Sequence, residues 1–319
     1  MGKYVLKRLL LMFFTFFVIV FISFVLIRAI PQEMPMDKTM QSIIEARWKA
    51  LGYDKPLLIQ FGIYLKNIFT KWDFGTSWYI AKMHDATEVL GSRLLPTVLV
   101  NLYSLLFSIP IGIGLGILAA IRKNRWQDHV ISIVIMLFVS IPSYVYAFLV
   151  QYFLYFKLKL FPSTMYSLAD AGGSYFTFKM FTSLVPPVLA LSFGEIASLA
   201  RFTRAELTET LTSDYMLLAR TKGLTRAQAT IRHALKNAMV PILPSIIASF
   251  IGILGGSMVI EQIFSIPGVG QLYIQSIQQL DYDVFMLDTV FYTFIGLLAN
   301  ILVDISYGFI DPRIRMGEK

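Results

Sequence analysis

The chain has 319 residues, a formal net charge of +8 and no cysteine, and 56% of its residues are hydrophobic against 15% charged. A mean hydropathy of +0.65 is too apolar for a soluble globular domain of this size and points to a membrane protein. The absence of cysteine excludes disulfides, Cys-ligated zinc, iron–sulfur clusters and thiol catalysis. The basic residues fall between the apolar runs, so the positive balance reads as membrane topology and not as nucleic-acid binding.

A membrane helix takes about 20 mostly apolar residues. The first run, residues 9–27, follows Lys3, Lys7 and Arg8. It is longer than a secretory apolar core, and Arg28-Ala29-Ile30-Pro31-Gln32 stands where a cleavage site would be, so it is expected to remain as a span. A long outer loop follows over 31–95, with Trp48, Trp72 and Trp78 among mixed charges. It reads as a small subdomain or, more simply, as a segment lying along the membrane interface. Further spans are expected at 96–121, 130–156, 181–200, 240–260 and 285–309. The fold class is therefore an all-α membrane protein of six helices: a tail and first helix over 1–30, the outer loop, a five-helix core over 96–311 that includes a polar loop at 201–240, and a tail over 312–319.

Lys and Arg near span ends are retained on the cytoplasmic side. With the N-terminus inside, that side gathers Lys3, Lys7 and Arg8, then Arg122, Lys123 and Arg125, then the basic residues from Arg201 to Lys236, then Arg313, Arg315 and Lys319. The loop over 261–284 has none. Both termini are expected in the cytoplasm. The basic residues of 31–95 count little against this, because a loop of that length crosses largely regardless of charge.

Among the polar residues inside the spans, Asn101, Gln151 and Glu195 are the candidates for a translocation path. An ionised carboxylate at membrane depth is costly and faces a bundle interior or a cavity. Glu195 therefore reads either as part of a translocation path or as a group neutralised by Arg201, Arg204 or a residue of another span. For Asn101 and Gln151, interhelical hydrogen bonding is the plainer role and the path the sharper one. Pro186-Pro187 is expected to open the fourth helix, with a hinge as the alternative, and Gly112-x-x-x-Gly116 and Gly252-x-x-x-Gly256 to let helices pack closely.

The loop after the fourth span keeps helical signals. Ser213 is placed to cap a short helix, with Asp214 in its first turn, Arg220 and Lys222 in its last, and Gly223 ending it. Thr225-Arg-Ala-Gln228 has the capping-box pattern, and Ala227, Ile231, Ala234, Leu235 and Ala238 fall on one helical face. Two short helices joined at a glycine make a knob suited to a partner's groove. Contact with anionic lipid headgroups is the alternative.

Asp214-Tyr215, Ala219-Arg220, Lys222-Gly223-Leu224, His233-Ala234 and Asn237 resemble the coupling loop of the oligopeptide/dipeptide permease family of ABC importers. Leu51-Gly-Tyr-Asp-Lys-Pro56, Asp73-Phe-Gly-Thr-Ser77, Arg93-Leu-Leu-Pro-Thr97, Ser140-Ile-Pro-Ser143, Glu261, Pro267-Gly268-Val-Gly270, Asp281-Tyr282 and Asp311-Pro-Arg313 extend the likeness along nearly the whole chain. Where the general importer motif opens with Glu-Ala-Ala, this sequence reads Leu217-Leu-Ala219. The resemblance implies the type I importer permease fold and the first of two homologous permease subunits. It also implies two cytoplasmic ATPases, which the Gly223 region would enter, an extracytoplasmic binding protein, and peptides as cargo, with nickel complexes or oligosaccharides as alternatives.

No Gly-x-x-x-x-Gly-Lys-Ser/Thr phosphate loop, His-Glu-x-x-His or Gly-x-Ser-x-Gly is present, and His84, His129 and His233 lie outside the spans. No catalytic residue, metal site or cofactor is expected. An enzyme and a partner-free channel or secondary transporter are the rival readings.

Overall fold

The computed structural model describes residues 2–30, 38–50 and 52–310, with side chains over 6–30, 41–50 and 52–306. The tail over 312–319, Asp311-Pro-Arg313, Leu51, Pro31 and the Lys3 side chain lie outside what is described. Helices α1 (Gly2–Ala29), α4 (Ala86–Ile121), α7 (Phe178–Leu211) and α13 (Tyr282–Ile310) are each long and apolar enough to cross a membrane. So is the continuous stretch Arg226–Gly255, which contains α9 (Arg226–Ala229) and α10 (Leu235–Gly252).

The expected third span is broken. Helix α5 (Trp126–Ser140) and α6 (Ser143–Gln151, running on to Lys157) meet at 101°. Pro142 lacks a backbone donor and disfavours helical geometry in Ile141, so the chain turns there and restarts at Ser143. The pair counts as a sixth span if the two halves are taken together.

The fourth helix also departs from expectation, because Pro186 and Pro187 do not open it. Its start is Thr177, whose hydroxyl accepts from the Met180 amide at 3.1 Å, and the prolines sit inside the helix. Helix α7 then continues without interruption to Leu211, well past the apolar stretch.

Helices α4 and α7 form the centre of the bundle. A side chain at Gly112 would meet Leu199 Cβ at 2.8 Å and the Ile196 carbonyl at 3.1 Å, and one at Gly116 would meet the Ala200 carbonyl at 2.7 Å. The first glycine pair is thus a helix-packing device within this chain. The second is not. Gly252 faces open space, α10 ends there, and Gly256 takes φ +63 in the turn that follows.

Segment 31–95 is a folded unit among its described residues. Helices α2 (Lys38–Ala50) and α3 (Leu57–Lys71) precede a two-residue hairpin, β1 (Thr76–Ser77) with β2 (His84–Asp85). Helix α4 begins at Ala86, ten residues before the expected start. Phe61 and Tyr64 of α3 pack on Phe24 of α1, with ring centroids 5.3 and 5.5 Å apart. The hairpin end joins a second cluster of Phe74, Ala86, Leu90, Leu272 and Leu287. This unit is at the end of the bundle opposite the 201–240 segment, since Ala86 starts α4 and Ala120, near its other terminus, packs beneath that segment.

The loop between α10 and α13 contains α11 (Met258–Ile263) and α12 (Val269–Gln278), locked by two buried carboxylates. Glu261 Oε1 accepts from the Thr97 hydroxyl and Oε2 from the Gln271 amide, both at 2.9 Å, while Thr97 Oγ1 accepts from the Val269 amide at 2.8 Å. A Cβ on Gly268 or Gly256 would occupy the position of the Glu261 carboxylate, which explains both glycines. Burial pushes the Glu261 carboxyl above the ordinary glutamate range, and these hydrogen bonds oppose that rise. Asp281 accepts from the Ser77 hydroxyl at 2.6 Å and from the amides of Tyr79 and Ile80 at 3.0 and 3.1 Å, pinning the hairpin to the start of α13.

Candidate functional site

The 201–240 segment forms a compact knob at one end of α4 and α7. Its first helix, α8 (Asp214–Thr221), starts after Ser213, but the Ser213 hydroxyl does not cap it. It donates instead to the Thr210 carbonyl at 2.6 Å, in the last turn of α7, which also accepts from the Ser213 amide at 3.3 Å. Asp214 stands in the first turn, where its charge complements the helix N-terminus. Gly223 ends α8 with φ +89. Its amide donates to the Arg220 carbonyl at 3.0 Å and the Leu224 amide to the Ala219 carbonyl at 3.3 Å, a paired closure that needs a left-handed residue. The capping box on α9 is complete: the Gln228 amide donates to Thr225 Oγ1 at 3.3 Å and the Thr225 amide to Gln228 Oε1 at 3.1 Å.

The inner face of the second helix differs from the expected one. Residues Thr230–Ala234 wind as a π-turn, one residue wider than an α-turn, and this rotates the face that follows. Ala229, Ala234 and Ala238 are buried with Ala120, Leu207, Met216 and Ala219, while Ala227 and Ile231 are exposed and Leu235 is half-buried. Ala219 and Ala234 therefore bind the knob to α4 and α7 and do not reach its surface. Asp214, Tyr215, Arg220, Lys222, Gly223, His233 and Asn237 are exposed, and Leu224 half-covers the inner cluster. Leu217, Leu218 and Ile231 add large apolar side chains to the outer surface. The knob thus has an alanine-rich base and an outer surface that mixes apolar and charged groups.

One charge contact at this end escaped the sequence reading. Asp128 on α5 is buried, and Arg204 on α7 reaches it twice, Nε to Oδ1 at 2.5 Å and Nη2 to Oδ2 at 2.9 Å. The Asn124 amide donates to the same carboxylate at 2.9 Å. Arg204 is thereby committed and does not neutralise Glu195. Glu195 Oε1 accepts instead from the Ser249 hydroxyl on α10 at 3.0 Å, a hydrogen bond from another span that supplies no opposite charge.

Neither amide bridges two spans. Asn101 donates to the Thr97 carbonyl one turn back in α4, and Gln151 donates to the Ser163 carbonyl in the loop after α6, each at 2.8 Å. No hydrogen bond joins any two of Asn101, Gln151 and Glu195. Toward the hairpin end of the bundle, Asp288 on α13 is fully buried and neither of its oxygens has a hydrogen-bond partner. Arg93 of α4 is the charge that acts on it. No group of three or more His, Cys, Asp or Glu suited to a metal occurs among the described residues.

Residues 112–316 match the family described as the binding-protein-dependent transport system inner membrane component. Residues 1–81 match the N-terminal region of such membrane components. The dipeptide transport system permease protein DppB of Bacillus subtilis (strain 168) is 35% identical over 325 residues, with 100% of each chain covered. DppB of Lactococcus lactis subsp. cremoris (strain MG1363) is also 35% identical, over 99% of this chain and 100% of that one. The glutathione transport system permease protein GsiC of Escherichia coli (strain K12) is 30% identical over 99% of each. Among solved structures, a chain of the MetNI methionine ABC transporter in an inward-facing conformation has a TM-score of 0.51 at 19% identity, over 73% of this chain and 98% of its own, which is a likeness of fold. The chain therefore belongs to the multi-pass permease family of binding-protein-dependent ABC importers, whose members act with ATPase and substrate-binding partners and are not themselves enzymes.

Proposed function

We propose that this permease moves short peptides from a binding protein across the membrane, paired with a second homologous permease, and that the knob over 213–240 is where an ATPase docks. The observation that carries the docking reading is the division of the knob into two faces. Tyr215, Leu217, Leu218 and Ile231 are exposed on its outside, while Met216, Ala219, Ala229 and Ala234 are packed on Leu207 and Ala120. A surface of this kind suits a groove on a partner, and the buried base links any movement of that partner to α4 and α7. Orientation follows the same reading, with the knob in the cytoplasm and segment 31–95 outside. The peptide reading draws on relatives named for dipeptides and glutathione.

The test is ATP-dependent uptake by the assembled transporter in proteoliposomes, with the dipeptide compared against nickel complexes and oligosaccharides, alongside co-purification of the ATPase. In Gly223→Val, φ +89 is forced on a β-branched residue. Loss of ATPase from a variant that still inserts is the expected result. Retention of both ATPase and transport removes the docking assignment, and uptake without ATP removes the importer reading.

A further inference from the structure

Helix α3 has a broad apolar face, and the fold covers only part of it. Phe61, Tyr64, Leu65 and Ile68 pack on α1 and α13 around Phe24 and Met286. Along the flank of that face Leu58 is 73% and Phe69 72% exposed, and these two are eleven residues apart, three helical turns, so they lie on one line of the helix. Trp72, which closes the helix, is 73% exposed. Three large apolar side chains at that exposure on one short helix are not ordinary surface scatter.

The neighbouring surface indicates what covers them. Helix α1 leaves Phe14, Ile22 and Leu26 exposed, and only 17% of its apolar window is buried. Phe21 and Phe24, which touch Phe61 at 5.1 and 5.3 Å between centroids, lie five to eight residues before the end of α1. At 1.5 Å per residue that places the contact about 8 to 12 Å below the end of the span, close to the depth at which amphipathic helices sit in the headgroup and upper acyl region. Lys55, Lys66 and Lys71 are exposed along α3, and the helix itself carries no acidic residue. An exposed tryptophan with flanking lysines is the side-chain set of a membrane interface.

We infer that α3 is an interfacial helix, with the face of Leu58, Phe69 and Trp72 resting in the lipid bilayer beside α1 and its lysines at the phosphate level. The inference requires only that α1 spans the membrane and is independent of what docks at the knob.

Because the chain has no cysteine, nitroxide labels can be placed singly at Leu58→Cys and Phe69→Cys. The assembled transporter would be reconstituted in phosphatidylcholine vesicles with and without phosphatidylglycerol. Collision with oxygen several-fold above that of a label free in water, together with suppressed collision with a water-soluble nickel chelate, is the expected result at both sites. Chelate access as in free water overturns the inference by showing the face in solvent. Exclusion of both reagents overturns it by showing the face covered by protein. If the cysteine variants fail to assemble, Trp72 fluorescence in a chain carrying Trp48→Phe, Trp78→Phe and Trp126→Phe serves instead. Quenching by brominated phosphatidylcholine supports the inference, and unchanged emission overturns it.

Discussion

Arg204 reaches across from α7 to hold the buried carboxylate of Asp128 with both Nε and Nη2, the latter at 2.9 Å. The contact fastens the start of the broken span to the helix that carries the knob. Removing the cation by Arg204→Ala leaves a buried carboxylate without its main partner. The expected cost is about 2 to 4 kcal/mol, below the full value for a sealed ion pair because the Arg204 side chain is a third exposed. Thermal unfolding in nanodiscs would show it, and Asp128→Asn with Arg204→Gln should recover part of the loss. An unchanged midpoint for Arg204→Ala would mean the pair is only incidental.

The two faces of the knob predict opposite outcomes for two aspartate substitutions. Ala234→Asp places a charge in the alanine-rich base and is expected to destabilise the knob by several kcal/mol. Ile231→Asp alters only the exposed surface and is expected to leave thermal unfolding within about 0.5 kcal/mol while weakening ATPase retention. Equal loss of stability in both variants would show that the faces are not distinct.

Gly268→Ala is expected to be more harmful than its size suggests, because the added carbon would displace the Glu261 carboxylate from Thr97 and Gln271. A loss of about 2 to 4 kcal/mol follows from leaving those buried groups unpaired, measured as a fall in the unfolding midpoint. Gly252→Ala faces open space and ends a helix, so it serves as the contrasting control with little change.

Asp288 offers a prediction in the other direction. Both of its oxygens are buried without a hydrogen bond and Arg93 is the opposite charge that acts on it, so replacing both, Asp288→Leu with Arg93→Met, removes an unfavourable burial without leaving a lone charge and is expected to raise stability by about 1 to 3 kcal/mol. Assayed with uptake, a more stable but inactive variant would mark Asp288 and Arg93 as retained for transport. A clear loss of stability in the double variant would show that Asp288 and Arg93 together stabilise the fold.

The spans were legible because lipid demands long apolar helices, and hydropathy registers that demand directly. Pro142 was visible too, yet the two halves around it read as one span, since hydropathy registers length and not a 101° bend. Local chemistry fared well where its partners were close in sequence, as in the Thr225–Gln228 box and the Gly223 closure. It failed at Ser213, whose hydroxyl chose the Thr210 carbonyl over the following helix. The inner face of the knob was misphased because a π-turn breaks the 3.6-residue period on which the expectation rested. Contacts between distant positions were beyond reach. Nothing local in Asp128 or Arg204 signals their pairing, although an acid four residues after Asn124, itself at φ +62, marks a tight turn that needs an acceptor. For 31–95 a small subdomain and an interfacial segment stayed open for the same reason, since Asp281 meets its hairpin from more than two hundred positions away.

Helix α7 runs for 34 residues, about 51 Å at 1.5 Å per residue, against a hydrocarbon layer of about 30 Å. Its prolines lie in the first third, and from Val188 to Leu211 the backbone ladder meets no further proline. Over that stretch α7 works as a strut. A force applied at Leu211 arrives at Glu195, about 24 Å away along the axis, as a tilt of the whole rod, and the nearest place it can be absorbed by bending is Pro186-Pro187, at the far end of the lever.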